Sequence, residues 1–272
     1  MTEVSDAQIK EAVRRHYADR VQTQASCCGS GAASSCCGGS SAPNATLHAL
    51  GYTEQELAAL PEGMTQTAFG CGNPLAFAGM RAGDVVLDLG SGAGMDVILA
   101  AQRVGPGGKA IGLDMTPEMI EKARANADLA GVGAIAEFRL GEMEDMPVAD
   151  ASVDWIISNC VINLSPDKEQ VFREAFRVLR PGGRLLVSDI VASNLPPAVR
   201  ADLTAWAECV AGAIDEDRYL DIVRAAGFED VQVVERADFT EPYLGQAADA
   251  PPDPAHQVTV SSVRVSAVKP RA

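Results

Sequence analysis

The period of apolar positions changes several times along the chain, and each change marks an element. Residues 4–20 carry Val4, Ile9, Val13 and Tyr17 on roughly one face, the spacing of a short amphipathic helix. Residues 25–44 hold Ser, Gly, Ala and two adjacent cysteine pairs. Such a composition cannot build a core, so the segment reads as a flexible loop or flap. Order resumes near Thr53, which forms a capping box with Glu56. From Gly83 onward, strand and helix patterns alternate. Strands are expected at 84–89, 109–114, 135–140, 152–160 and 184–191, and helices at 95–104, 117–130 and 167–179. The run at 84–89 ends in glycines, as a parallel strand buried on both faces does. Pro117 suits a first helical turn, and Pro181-Gly182-Gly183 is expected to stop the third helix. Two helices (197–212 and 217–226) and two strands (231–235 and 258–268) follow, with a Pro-rich loop at 241–255. No internal repeat is present.

Alternating strands and helices imply right-handed crossovers and a doubly wound α/β fold. The expectation is a mostly parallel seven-stranded sheet with flanking helices and a smaller C-terminal α+β region. The chain then divides into an N-terminal helix and flap (1–50), a Rossmann-like core (51–192) and a C-terminal substrate-binding region (193–272). Ligands of such sheets bind outside the carboxyl ends of the strands.

The chain has 272 residues, 47% of them hydrophobic, which is enough to bury a core. A formal net charge of −15 disfavours nucleic acid and anionic membranes as partners. No apolar run reaches transmembrane length, and the first twenty residues are charged rather than leader-like. A cytoplasmic monomer with reduced thiols is expected. His16, His48 and His256 are scattered and read as surface residues; Trp155 and Trp206 read as core.

Candidate chemistry begins at the first strand. Gly90, Gly92 and Gly94 open a helix there, so the backbone can approach a ligand closely. Asp114, closing the next strand, is placed to accept from both hydroxyls of a ribose. Asp88 and Asp96 flank the turn and would repel a pyrophosphate, which argues against a dinucleotide. A second acidic cluster, 142–145, follows the third strand, where an adenine amino group would be met. Carboxylates suit the amino group and sulfonium of S-adenosylmethionine. The series LDLGSGAG, GLDMT, GEMEDMPVADASVDWIISN and FREAFRVLRPGGRLLVSDI resembles the class I S-adenosylmethionine-dependent methyltransferases over residues 80–192.

Fold alone names no substrate. Seven cysteines are an odd count for a disulfide framework. Cys71, Cys160 and Cys209 stand singly, and the topology lets all three reach one edge of the sheet. Each alone is ordinary core material. Structural zinc wants four ligands with closely spaced pairs, which these three do not offer. Three thiolates suit a three-coordinate, thiophilic centre such as trivalent arsenic. Its lone pair is left pointing away from the sulfurs.

FGCGNP, LGSGAGMD, DMTPEMI, SNCVINLSPDK, FREAFRVLRPGG and WAECVAGA together resemble the arsenite methyltransferase family along nearly the whole chain. The resemblance implies that Cys71, Cys160 and Cys209 bind arsenic. It implies cofactor contacts from Asp88, Gly90, Ser91, Gly92, Asp114, Met115, Glu142, Met143 and Asn159. An upstream cysteine serves redox exchange in the family; Cys27, Cys28, Cys36 and Cys37 are candidates for that role or for arsenic delivery, with glutathione or thioredoxin as thiol reductant. Phe69 stands where many relatives have Tyr. Arsenite and methylated trivalent arsenicals are the implied substrates. Two other readings stay open: a methyltransferase of a small quinone- or sterol-like substrate, and a non-catalytic metalloid-binding protein.

Overall fold

A computed structural model describes residues 4–23, 47–67, 70–77, 79–239 and 258–271. The expected flap with Cys27, Cys28, Cys36 and Cys37, Phe69, His256 and the loop at 241–255 lie outside the described residues. The N-terminal amphipathic segment forms helix α1 (Asp6–Thr23), with Ile9 and Val13 buried on its inner face. Helix α2 (Glu54–Ala58) starts at the expected capping box: the Thr53 hydroxyl accepts from Glu56 N, and the Glu56 carboxylate accepts from Thr53 N.

Then β1 (Val85–Leu89), α3 (Met95–Val104), β2 (Lys109–Asp114), α4 (Pro117–Leu129), β3 (Ala136–Leu140), β4 (Val153–Asn159), α5 (Lys168–Val178) and β5 (Leu179–Ser193) alternate as expected. They are followed by α6 (Pro197–Arg200), α7 (Leu203–Ala207), α8 (Glu216–Ala225), β6 (Glu229–Asp238) and β7 (Thr259–Val268). The sheet order is β3-β2-β1-β4-β5-β7-β6, parallel except for β7, which runs antiparallel to both neighbours.

Both faces of the sheet are covered, as the apolar runs require. Leu87, Leu89 and Ile156 pack with α5 and α8 on one face, where Phe172 and Tyr219 meet edge to face at 5.5 Å between ring centres. Val86 and Ile157 pack with α3 and α4 on the other. Each fully buried aliphatic side chain contributes about 1.5–3 kcal/mol relative to exposure. The order reverses between β1 and β4, and α1 lies across that end of the sheet, packed on α4, α7 and the turn Ile162–Leu164.

Two expectations change. Pro181-Gly182-Gly183 does not separate a helix from a later strand: β5 already begins at Leu179. Gly182 N donates to Lys269 O and Lys269 N to Gly183 O, so the tripeptide is held by the strand beyond it. The helix expected over 197–212 is broken into α6 and α7, because Asp202 accepts from Thr204 N and starts a new cap. Trp155 and Trp206 are half-buried, each with its indole N–H bonded, to Asp84 and to Arg200 O. His48 is exposed, whereas His16 is half-buried and its ring meets Tyr17 edge-on.

Candidate active site

The carboxyl ends of β1, β2 and β4 open into a cavity of about 190 Å³ roofed by Lys10, Val13, Tyr17 and Arg20 of α1. All the expected cofactor contacts and all three single cysteines line it.

The glycine turn is built for its neighbours as well as for a ligand. Gly90 has φ +66°, and a Cβ there would lie 2.6 Å from Val161. At Gly92 (φ +50°) a Cβ would meet nothing nearer than Met119 Sδ at 4.0 Å, so this position keeps the space open. The Asp114 carboxylate accepts from Gly92 N at 2.9 Å and from Thr116 N at 2.8 Å, which fixes the turn against β2.

Three carboxyl groups surround this turn, Asp88 and Asp96 buried and Asp114 half-buried. Burial pushes Asp88 well above the usual carboxylate range, helped by repulsion from Asp96 and Asp114. Burial also raises Asp96 to about 6, against the Tyr52 hydroxyl and Asn159 amide that stabilise its charge. Asp114 is raised by burial and partly restrained by its backbone donors. None of the three meets a cationic side chain in an ion pair among the described residues. Ser91 Oγ is buried without a hydrogen-bond partner. Three unneutralised carboxyls and an orphaned hydroxyl fit a ligand that carries positive charge and hydrogen-bonding groups. At the other end, Glu142 and Glu144 receive Lys10 Nζ at 2.7 and 3.0 Å, so α1 is tied directly to the acidic cluster.

Asn159 has a role that its position in the sequence does not reveal. Its Oδ1 accepts from Cys71 N at 3.0 Å, and its Nδ2 donates to Gly72 O at 2.6 Å. The segment carrying Cys71 is thereby pinned to the end of β4. A Cβ at Gly72 would lie 2.4 Å from Ser188 Oγ, so only glycine lets the segment come this close to β5.

Cys160 shares one packing cluster with Cys71 and another with Cys209. The neighbouring Cys209 and Cys71 thiols, followed by burial, push its thiol well above the ordinary range. Cys71 Sγ also lies 3.7 Å from Ser188 Oγ, and Cys209 Sγ donates to Cys160 O at 2.7 Å. The sulfurs form no closed cage: among the described residues no three His, Cys, Asp or Glu side chains stand, as oriented, ready to hold a metal ion. Cys209 is not on a helix, as expected, but in the turn just past α7. Cys160 and Cys209 have φ of +62° and +65°, a region that costs an L-residue on the order of 1–3 kcal/mol. Two of the five non-glycine residues with positive φ among the described residues are therefore thiols of this cavity.

Residues not anticipated also reach the site. Tyr17 packs in one cluster with Cys209 and lines the cavity, and burial followed by the charges of Cys209 and Cys160 holds its phenol well above the ordinary range. Tyr52 donates to Asp96 at 2.8 Å. The place of Tyr17 on an apolar helix face was visible in the sequence, but not what it would meet; Tyr52 was not singled out. Glu208, next to Cys209, is half-buried and lines the cavity.

A family profile described as a methyltransferase domain matches residues 80–227, more than half of the chain. Among solved structures, an arsenic(III) S-adenosylmethionine methyltransferase from Chlamydomonas reinhardtii superposes with a TM-score of 0.68 at 33% identity, over 79% of this chain and 73% of that one. The chain belongs to the arsenite methyltransferase family. Among curated relatives, the arsenite methyltransferase of Halobacterium salinarum is 44% identical over 86% of this chain, and that of Aquipseudomonas alcaligenes is 43% identical over 61%. This family member spans 61% and 50% of those two proteins' own lengths. A 27-O-demethylrifamycin SV methyltransferase from Amycolatopsis mediterranei is more distant, at 30% identity over 73% of this chain and 72% of its own. Among the described residues no helix is long and apolar enough to cross a membrane.

Proposed function

We propose that the protein transfers a methyl group from S-adenosylmethionine to trivalent arsenic held by Cys71, Cys160 and Cys209. The observation that carries this reading is that Cys71, Cys160 and Cys209 all line the same cavity as the glycine turn, with Cys209 Sγ 2.7 Å from the Cys160 carbonyl oxygen. The greater similarity to arsenite methyltransferases than to the rifamycin enzyme supports it over an organic substrate.

The three thiols bind arsenite by exchange. Each S–H gives its proton to a departing arsenic-bound hydroxyl, so three As–S bonds replace three As–O bonds and three waters leave. Cys209 must release the Cys160 carbonyl, and Cys71 must turn from Ser188, to close the cage. Three sulfurs on one side direct the arsenic lone pair to the other, into the rest of the cavity. When bound, S-adenosylmethionine supplies an electrophilic methyl group on a sulfonium sulfur. Asp114 and Glu142 would hold its ribose and adenine end, with Gly90, Ser91, Gly92, Met115 and Met143 against it. Asp88 would take the amino group, and Asn159 would fix the loop beside it. No general base is required, because the nucleophile is a lone pair; the chain positions the reactants and excludes water. Cys27, Cys28, Cys36 and Cys37 are assigned to arsenic delivery or redox exchange, with glutathione or thioredoxin as reductant.

The test is incubation with S-adenosylmethionine, glutathione and arsenite, reading methylated arsenic by chromatography with elemental detection. Methylated product should form with the native chain, and Cys160→Ser should lower it by at least about 100-fold while cofactor binding survives. Unchanged turnover in Cys160→Ser would remove the three-thiol mechanism.

A further inference from the structure

From Ser262 to Ala267, β7 alternates polar and apolar residues, a pattern that ordinarily turns one face of a strand to solvent. Here the polar positions are not left to water. Val263 and Val265 join the core on one face, while Ser262 and Arg264, on the other, are each 5% exposed. What covers Ser262 is the segment carrying Cys71: the serine hydroxyl donates to Cys71 O at 3.0 Å. From β4, Asn159 accepts from Cys71 N at 3.0 Å and donates to Gly72 O at 2.6 Å. We propose that Ser262 is a positioning residue for Cys71 in arsenic binding, the β7 side of a clamp that Asn159 completes from β4. This inference rests on the three-thiol reading above.

The segment needs a clamp because its own backbone does not order it. Gly70 and Gly72 flank Cys71, and glycine has more conformational freedom to lose than any other residue. Capture by three sulfurs requires all three to converge on one atom. A thiol already fixed in place avoids the cost of ordering its segment at the moment of binding. Asn159 holds the segment from β4 alone. Without the Ser262 hydroxyl, the carbonyl beside the thiol-bearing carbon is free to turn. Among the described residues Ser262 is not part of the cavity lining, so its influence reaches arsenic only through Cys71.

Arsenite affinity is measured by equilibrium dialysis with elemental detection, on the full chain with Cys27, Cys28, Cys36 and Cys37 changed to serine. Cys71, Cys160 and Cys209 are then the thiols that remain. Ser262→Ala should weaken arsenite binding about fivefold, the effect of one hydrogen bond, while S-adenosylhomocysteine affinity stays within about twofold. Cys71→Ser should weaken arsenite binding further than that. Ser262→Ala added to Cys71→Ser should then change nothing more, because the hydroxyl acts through that thiol. Unchanged arsenite affinity in Ser262→Ala overturns the proposal, as does a matching loss of S-adenosylhomocysteine affinity. So does the same loss persisting in the Cys71→Ser background, since packing of β7 would then be the cause. Arsenite affinity untouched by Cys71→Ser itself marks a different failure: the three-thiol reading is then wrong, and this inference falls with it.

Discussion

At the scale of single residues, the buried ionisable side chains deserve as much notice as the thiols. Lys168 is only 7% exposed; burial lowers it to about 8, and Asp189 and then Cys209 pull it back up. Asp189 is almost fully buried; burial raises it to about 7, with Lys168 its strongest favourable charge. Lys168 Nζ donates to Ser165 O at 3.0 Å, and Asp189 accepts from Tyr219. Removing one charge strands the other, whereas removing both leaves ordinary packing. Lys168→Met should therefore destabilise the fold by about 3 kcal/mol in urea unfolding, and Asp189→Asn added to it should restore most of the loss. In the sequence, Lys168 reads as the polar start of a helix. Its burial is set by Trp206, whose ring lies 5.7 Å from the ammonium and 38 residues away in the chain, and no local pattern carries that information.

At the scale of elements, helices and strands with a strong apolar period were legible almost to the residue. α3 and β2 match their expected limits, because their burial pattern is their sequence pattern. The misreadings share one physical cause. Residues 197–212 hold enough apolar positions for one helix, but Asp202 caps a second start and Cys209 takes a left-handed backbone. Periodicity measures which residues are buried and is blind to the sign of φ. The role of α1 was hidden differently. Its amphipathic face was plain, yet Lys10 meets Glu142 across 132 residues. That tie is partly exposed, so Lys10→Ala should cost no more than about 1 kcal/mol of global stability. Its effect should instead be local. Backbone amides of residues 6–23 should exchange with deuterium faster in Lys10→Ala, with β1 and β4 unchanged. Equal protection in α1 would mean that packing alone holds the helix.

At the scale of the whole molecule, a chain of net charge −15 gathers three carboxyls, two buried and one half-buried, in one cluster. The pH consequence follows from Asp96, raised from 3.8 to about 6 in the fold. Between those values the native state keeps a proton that the unfolded chain has released. Stability is therefore fully present below about pH 4 for this group and falls as pH rises through about 6. The loss is on the order of 2–3 kcal/mol from Asp96, with Asp88 and Asp114 acting in the same direction. The ligand-free protein should melt at a higher temperature at pH 5.5 than at pH 7.5. Saturating S-adenosylmethionine, a cation, should narrow that gap. A melting temperature that rises with pH over this range would show that the carboxyls are neutralised by other means.

Enclosure has a consequence for how long a substrate stays. Bonds between arsenic and sulfur trade partners readily with free thiols in water, so their strength alone cannot guard a captured atom inside a thiol-rich cell. Here Cys209 is 6% exposed, and α1 covers the cavity above it. Under the proposed function, a competing thiol would reach an arsenic-bound Cys209 only if that helix lifted. Residence time would then be governed by a motion of the polypeptide rather than by the lability of the bond.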